Sequence, residues 1–184
     1  MAEDLPAPVV LDACVLYPPV LREILLGCAA AGLFAPLWSP RILAEWAHAA
    51  ARRSTDAAPA ITRLRAAFPA AEVLPDAATL SDLALPDPAD AHVLAAAIDG
   101  GAERIVTLNL RDFPARALAP HGRVALSPDD FLMGLWLARP SAVEAAVSAA
   151  LTEAAQRSGR PAALRPFLKR AKLPRLGKAL GPAA

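Results

Sequence analysis

Short apolar runs and longer amphipathic stretches alternate along this chain. "PVVLDA" is an apolar run closing on Asp12, the pattern of a buried parallel strand with an acid at its C-terminal end. "PPVLREILLGCAAAG" opens on proline and stops at Gly32, which predicts a helix. "LFAPLW" predicts a short strand or extended loop. In "SPRILAEWAHAAARR", Ser39 is the expected N-cap and Pro40 the first helical residue, with an apolar stripe at Ile42, Leu43, Trp46 and Ala50. A further helix is expected over 57–68, leading to "AEVLPD". "DPADAHVLAAAIDGG" predicts a helix ended by glycine, "ERIVTLN" a strand, and "SPDDFLMGLWLA" a helix capped by Ser127. Helices alternating with short buried strands predict a parallel sheet with helices on its faces. From Arg139 onward the chain reads as helical without strands, so the expected division is a core over 1–138 and an extension over 139–184.

Charge sharpens that division. Residues 1–138 hold 16 acids and 10 bases, a balance of −6, while residues 139–184 hold 2 acids and 9 bases, a balance of +7. The tail "RSGRPAALRPFLKRAKLPRLGKALGPAA" contains no acid. It reads either as a solvated end or as a surface for a polyanion or for acids of the body. At 184 residues the chain is long enough for a substantial core. No run reaches the roughly 18 apolar residues of a membrane span, and "MAEDLPAP" lacks a signal-peptide pattern. Cys14 and Cys28 lie in apolar segments, where buried free thiols are expected, and they lack the CxxC spacing of a zinc site. These features together predict a cytoplasmic protein without a membrane partner.

In open parallel sheets, functional groups gather at the C-terminal ends of the strands. Asp12 falls at such an end, and Asn109 and Asp112 fall just past another. Asp87 and Asp90 open the helix that precedes that second strand, and Glu45 sits inside an earlier helix. Singly, Asp87 and Asp90 read as helix caps, Glu45 as a solvated helix residue and Asp112 as a turn cap. These local duties leave the set unexplained, since a doubly wound sheet would bring several of these acids together.

Four motifs, in order, resemble the PIN-domain family, small ribonucleases that include VapC-type toxins of bacterial toxin–antitoxin pairs. They are "VVLDACVLYP" with Asp12, "SPRILAEW" with Glu45, "DPADAHVLAAA" with Asp90, and "IVTLNLRDF" with Thr107, Asn109 and Asp112. The resemblance covers residues 8 to about 138. It implies a three-layer α/β/α sandwich around a central parallel sheet. It implies Asp12, Glu45, Asp90 and Asp112 as catalytic residues, with Asp12, Asp90 and Asp112 on the metal and Asp87, Thr107 and Asn109 in support. The position that is often Asp in the family is Asn109 here, which puts charge on Asp112 and leaves Asn109 a hydrogen-bonding role. The implied activity is endoribonuclease cleavage, with Mg²⁺ or Mn²⁺ as cofactor, RNA as substrate, and a cognate antitoxin and a second copy of the chain as partners.

The chemistry gives such clustering a reason. Two carboxylates about 4 Å apart repel by roughly 4 kcal/mol at an effective dielectric of 20. A divalent cation with a preference for oxygen removes that conflict, and it can polarise a phosphodiester and activate water. Other chemistries fail on inspection. Cys14 stands where a haloacid-dehalogenase-type phosphatase needs a second Asp, and neither a GxxxxGK[ST] loop nor a GxGxxG fingerprint occurs. His48, His92 and His121 lack a nucleophile partner or zinc spacing, so His92 reads as a packed or surface residue, and Trp38, Trp46 and Trp136 as core. Two rival functions stay open: a PIN fold that binds RNA or protein without cutting, and a structure-specific DNA nuclease. In the tail, Arg165, Lys169, Arg170 and Lys172 are the expected RNA contacts.

Overall fold

A computed structural model of the chain describes residues 6–181. Its elements run β1 (Pro8–Leu11), α1 (Ala13–Leu16), α2 (Pro19–Ala30), β2 (Ala35–Leu37), α3 (Pro40–Ala51), α4 (Ala58–Ala67), α5 (Ala77–Ser81), α6 (Ala91–Asp99), β3 (Arg104–Val106), α7 (Ala115–Leu118), β4 (Val124–Leu126), α8 (Pro128–Ala138), α9 (Pro140–Ser158), α10 (Leu164–Arg170) and α11 (Pro174–Leu180). The four strands form one parallel sheet of order β2-β1-β3-β4 flanked by helices, the α/β class expected from the alternation.

The chain divides into two compact units. One holds the described residues 6–17 and 34–126, the other 18–33 and 127–181. The line expected after residue 138 thus falls inside the second unit.

In the first unit, Val9, Val10 and Leu11 of β1 are fully buried, as an apolar strand between two parallel neighbours must be. β4 is only three residues long, and "VAL" gives no alternation from which to read it. Its chain order places β1 and β3 side by side at the point where the winding reverses, the position where open sheets leave a crevice. α3 begins as expected, with the Ser39 hydroxyl accepting from the Ile42 N–H at 3.2 Å. α6 packs on β1 and β3 and buries seven consecutive residues, Ala91 to Ala97. It ends at Gly100, where an added Cβ would stand 2.8 Å from the Ala96 carbonyl oxygen.

In the second unit, α2 packs along α9, with Gly27 against Ala146. The basic tail is folded: Phe167, Leu168, Leu173 and Leu176 are buried. Asp129, itself buried, accepts the Arg175 N–H on Oδ2 at 2.8 Å and the Leu176 N–H on Oδ1 at 3.0 Å, capping the start of α11. Arg175 also pairs with Asp130, and Arg157 with Glu23 at 2.8 Å. Of the three tryptophans, Trp38 and Trp46 are core residues as expected. Trp136 is half-buried, with its indole N–H on Glu144 at 3.0 Å. Both cysteines are free; Cys28 is buried and Cys14 half-buried. No helix among the described residues is long and apolar enough to cross a membrane.

Candidate active site

Asp12 follows β1 directly, and its N–H donates to the Val106 carbonyl of β3 at 3.1 Å. This backbone bond brings the ends of β1 and β3 together. Asp12 is buried, so its carboxylate needs partners. The Thr107 hydroxyl donates to Oδ2 at 2.7 Å, and the Cys14 thiol donates to the same oxygen at 3.1 Å. The network continues outward. Thr107 Oγ1 accepts the Asn109 N–H at 3.0 Å, and Cys14 Sγ accepts the Leu108 N–H at 3.1 Å. Burial, then the Asp12 charge, pushes the Cys14 thiol up to about 12, so it remains a protonated donor.

Asp87 and Asp90 part company. Asp87 Oδ1 accepts the Ala89 N–H at 2.8 Å, capping the 3-10 turn Pro88–Asp90. Asp90 makes no capping bond. Its carboxyl is pushed up to about 6, first by loss of solvent, then by repulsion from Asp12, Asp112 and Asp87, with Arg41 opposing. Glu45 on α3 is also raised, by burial first, against the pull of Arg41, and with Asp12 and Asp90 adding repulsion. Asp90 is therefore within electrostatic reach of Asp12 and Asp112, and Glu45 within reach of Asp12 and Asp90. Asp112 ends the 3-10 turn Leu110–Asp112 and is half-buried, while Asn109 is exposed and its side chain caps nothing.

Three residues at the site carried no such expectation. Cys14 is one. Arg41, one turn before Glu45, sets Nε 3.4 Å from Glu45 Oε1 and donates from Nη2 to the Ala89 carbonyl at 2.9 Å. His92, buried as its packed reading expected, sets Nε2 2.8 Å from the same Glu45 oxygen. That approach lacks hydrogen-bond alignment, and neither ring nitrogen has a hydrogen-bond partner among the described residues. Burial, then Arg41, lowers His92 to about 4, so the ring is neutral. The signals were weak: an i,i+4 Arg–Glu pair on one helix, and a lone His inside an apolar helix.

The donor chemistry suits a hard divalent ion, since the groups are carboxylates whose mutual repulsion such an ion would relieve. Among the described residues no three His, Cys, Asp or Glu side chains close into a ligand cage. An open arrangement of carboxylates fits Mg²⁺, which takes one or two protein carboxylates and keeps several waters. The expected RNA contacts Arg165, Lys169, Arg170 and Lys172 belong to the second unit, where all four are exposed on or beside α10.

A family model described as PIN domain matches residues 8–111, which spans the first three motifs and the fourth as far as Arg111, ending just before Asp112. A curated protein of Mycobacterium tuberculosis (strain ATCC 25618 / H37Rv), named "Putative ribonuclease VapC50", is 59% identical over 44 residues. That match covers 24% of this chain and 26% of the relative's length. No solved structure matches the chain.

Proposed function

Because the chain belongs to the PIN-domain family, we propose that it is a divalent-metal-dependent endoribonuclease, the toxin of a toxin–antitoxin pair. The observation that carries this reading is Asp12, held through one oxygen by Thr107 and Cys14 at the sheet's switch point, among the acids Glu45, Asp90 and Asp112. RNA rather than DNA is favoured by the word "ribonuclease" in the matching relative's name. In this reading Asp12, Asp90 and Asp112 would hold Mg²⁺ or Mn²⁺, which would supply charge stabilisation at the phosphodiester and a more acidic water. The chain's own residues prepare that site. Thr107 and Cys14 orient Asp12, the turn capped by Asp87 delivers Asp90, and Glu45 orients water, with Asn109 as a hydrogen-bonding group at the rim. The protein acts in the cytoplasm, and its partners are an antitoxin and a second copy of the chain.

The exposed bases Arg165, Lys169, Arg170 and Lys172 bind RNA phosphates without reading sequence. Gln substitution of Lys169, Arg170 and Lys172 together lowers the salt dependence of binding by about 0.7 log unit per log unit of salt for each lost contact. A binding module without cleavage is the second reading, favoured by Asn109 in place of the family's frequent Asp. One assay separates them: labelled single-stranded RNA and DNA are incubated with Mg²⁺, Mn²⁺ or EDTA. The nuclease reading expects cleavage of RNA only, metal-dependent, and lost in folded Asp12→Asn and Asp90→Asn variants. Binding without cleavage in either ion, or equal cleavage by those variants at saturating Mn²⁺, overturns it.

A further inference from the structure

A cluster of acids repels a polyanion, so a nuclease of this design needs a cation beside it. Arg41 stands there. Its Nη2 is tied to the Ala89 carbonyl in the turn that delivers Asp90, and its Nε lies against Glu45 on its own helix. It therefore bridges the two segments that carry Glu45 and Asp90, and its charge acts on both of them and on His92. A guanidinium has five N–H donors in a rigid fork, and these two contacts leave the others without a partner among the described residues. The side chain is 51% exposed, so the remaining donors are accessible.

Stability does not account for this placement. A half-exposed ion pair at 3.4 Å contributes only about 0–1 kcal/mol. The carbonyl contact does something else: it holds a long side chain in one direction before any ligand arrives, which lowers the entropy lost on binding. A pre-aimed guanidinium with spare donors is suited to a phosphate, which it can grip through two parallel N–H···O bonds.

We propose that Arg41 is a substrate-binding residue that seats a backbone phosphate of single-stranded RNA at the mouth of the carboxylate cluster, aimed there by the Ala89 carbonyl and Glu45. This rests on the ribonuclease reading and adds a substrate contact to it. The contact lies in the sheet-bearing unit, whereas the bases around α10 belong to the other unit.

The test is fluorescence anisotropy with a fluorescein-labelled single-stranded RNA of mixed sequence, titrated at several salt concentrations in Ca²⁺ buffer, the RNA checked by gel for integrity. Wild type, Arg41→Gln and Arg41→Lys are compared, with melting temperatures measured alongside. The expected result for Arg41→Gln is binding weaker by about tenfold or more, as for loss of a charged hydrogen bond. Its salt slope falls by about 0.7, one phosphate contact. Arg41→Lys keeps the charge and the wild-type slope but loses the fork, so its affinity lies between the two. In cleavage, Arg41→Gln raises KM more than it lowers kcat. Unchanged affinity and slope in Arg41→Gln overturn the proposal, and a fall in melting temperature or kcat alone assigns Arg41 to holding Glu45. Wild-type protein that neither binds nor cuts RNA in Mg²⁺ or Mn²⁺ overturns the ribonuclease reading, and this proposal with it.

Discussion

Asp87 and Asp90 stand three residues apart and have different duties. Asp87 uses its carboxylate to accept the Ala89 N–H as a cap, while Asp90 is left to face other acids. The cost of that exposure to like charge is visible in pH dependence. Below the ordinary carboxyl value of 3.8, folded and unfolded chains both carry the proton on Asp90. Between there and about 6 the unfolded chain releases it first, so stability falls as pH rises through this window and the loss is complete above it. In EDTA at pH 7, Asp90→Asn should therefore melt above wild type, by about 1–3 °C. The difference should vanish below pH 4, and scanning fluorimetry across pH checks both halves of the statement. Thr107→Val keeps the shape but removes the hydroxyl from Asp12 and the acceptor from the Asn109 N–H. It should lower stability by about 1–3 kcal/mol in urea unfolding, because a buried carboxylate loses a donor. The positions of Asp12 and Asp90 were legible because a strand end and a helix start are local patterns. The surroundings of Arg41, Cys14 and His92 were not, because their contacts include partners far along the chain, such as Ala89 for Arg41, Leu108 for Cys14 and Glu45 for His92.

At the scale of elements, what was legible was whatever carried its own punctuation. Ser39 with Pro40 and Ser127 with Pro128 start α3 and α8, and each serine caps as its sequence context demands. β4 and α1 escaped, since three or four residues hold no period, and their structure comes from pairing and packing. The start of the "DPADAHVLAAA" segment is a 3-10 turn before α6, a distinction that Pro88 and the Asp87 cap impose and that periodicity cannot resolve. Close approach of α2 and α9 rests on Gly27, whose added Cβ would stand 3.0 Å from the Ala146 Cβ. Gly27→Leu should cost about 1–3 kcal/mol by overpacking. Gly134→Ala, in α8 with open space around it, should be neutral or stabilising by up to about 1 kcal/mol. Chemical denaturation of the pair checks the contrast.

For the whole molecule, the sequence separated an acidic body from a basic tail, and the structure shows part of that tail's charge answered within its own unit, by Glu23 and Asp130. A tail so folded cannot be removed as though it were a strap. Deleting residues 157–184 strips Asp129 of both N–H donors and removes Leu168, Leu173 and Leu176 from a core. The truncated chain should lose several kcal/mol and bind hydrophobic dye, by the arithmetic of buried unsatisfied groups and lost apolar burial. A truncated protein melting with the full chain would refute this.

The pairing of α2 with α9 also sets a timetable. The ribosome delivers α2 early, with Leu21, Ile24, Leu25 and Cys28 ready to be buried, but its partner begins only at Pro140. At about 5–20 residues per second, α2 waits on the order of ten seconds for its cover. Throughout that interval an apolar helical face is open to chaperones or to neighbouring nascent chains. Products of stalled translation that end before Pro140 should therefore be found as holdase clients or aggregates, not as folded halves.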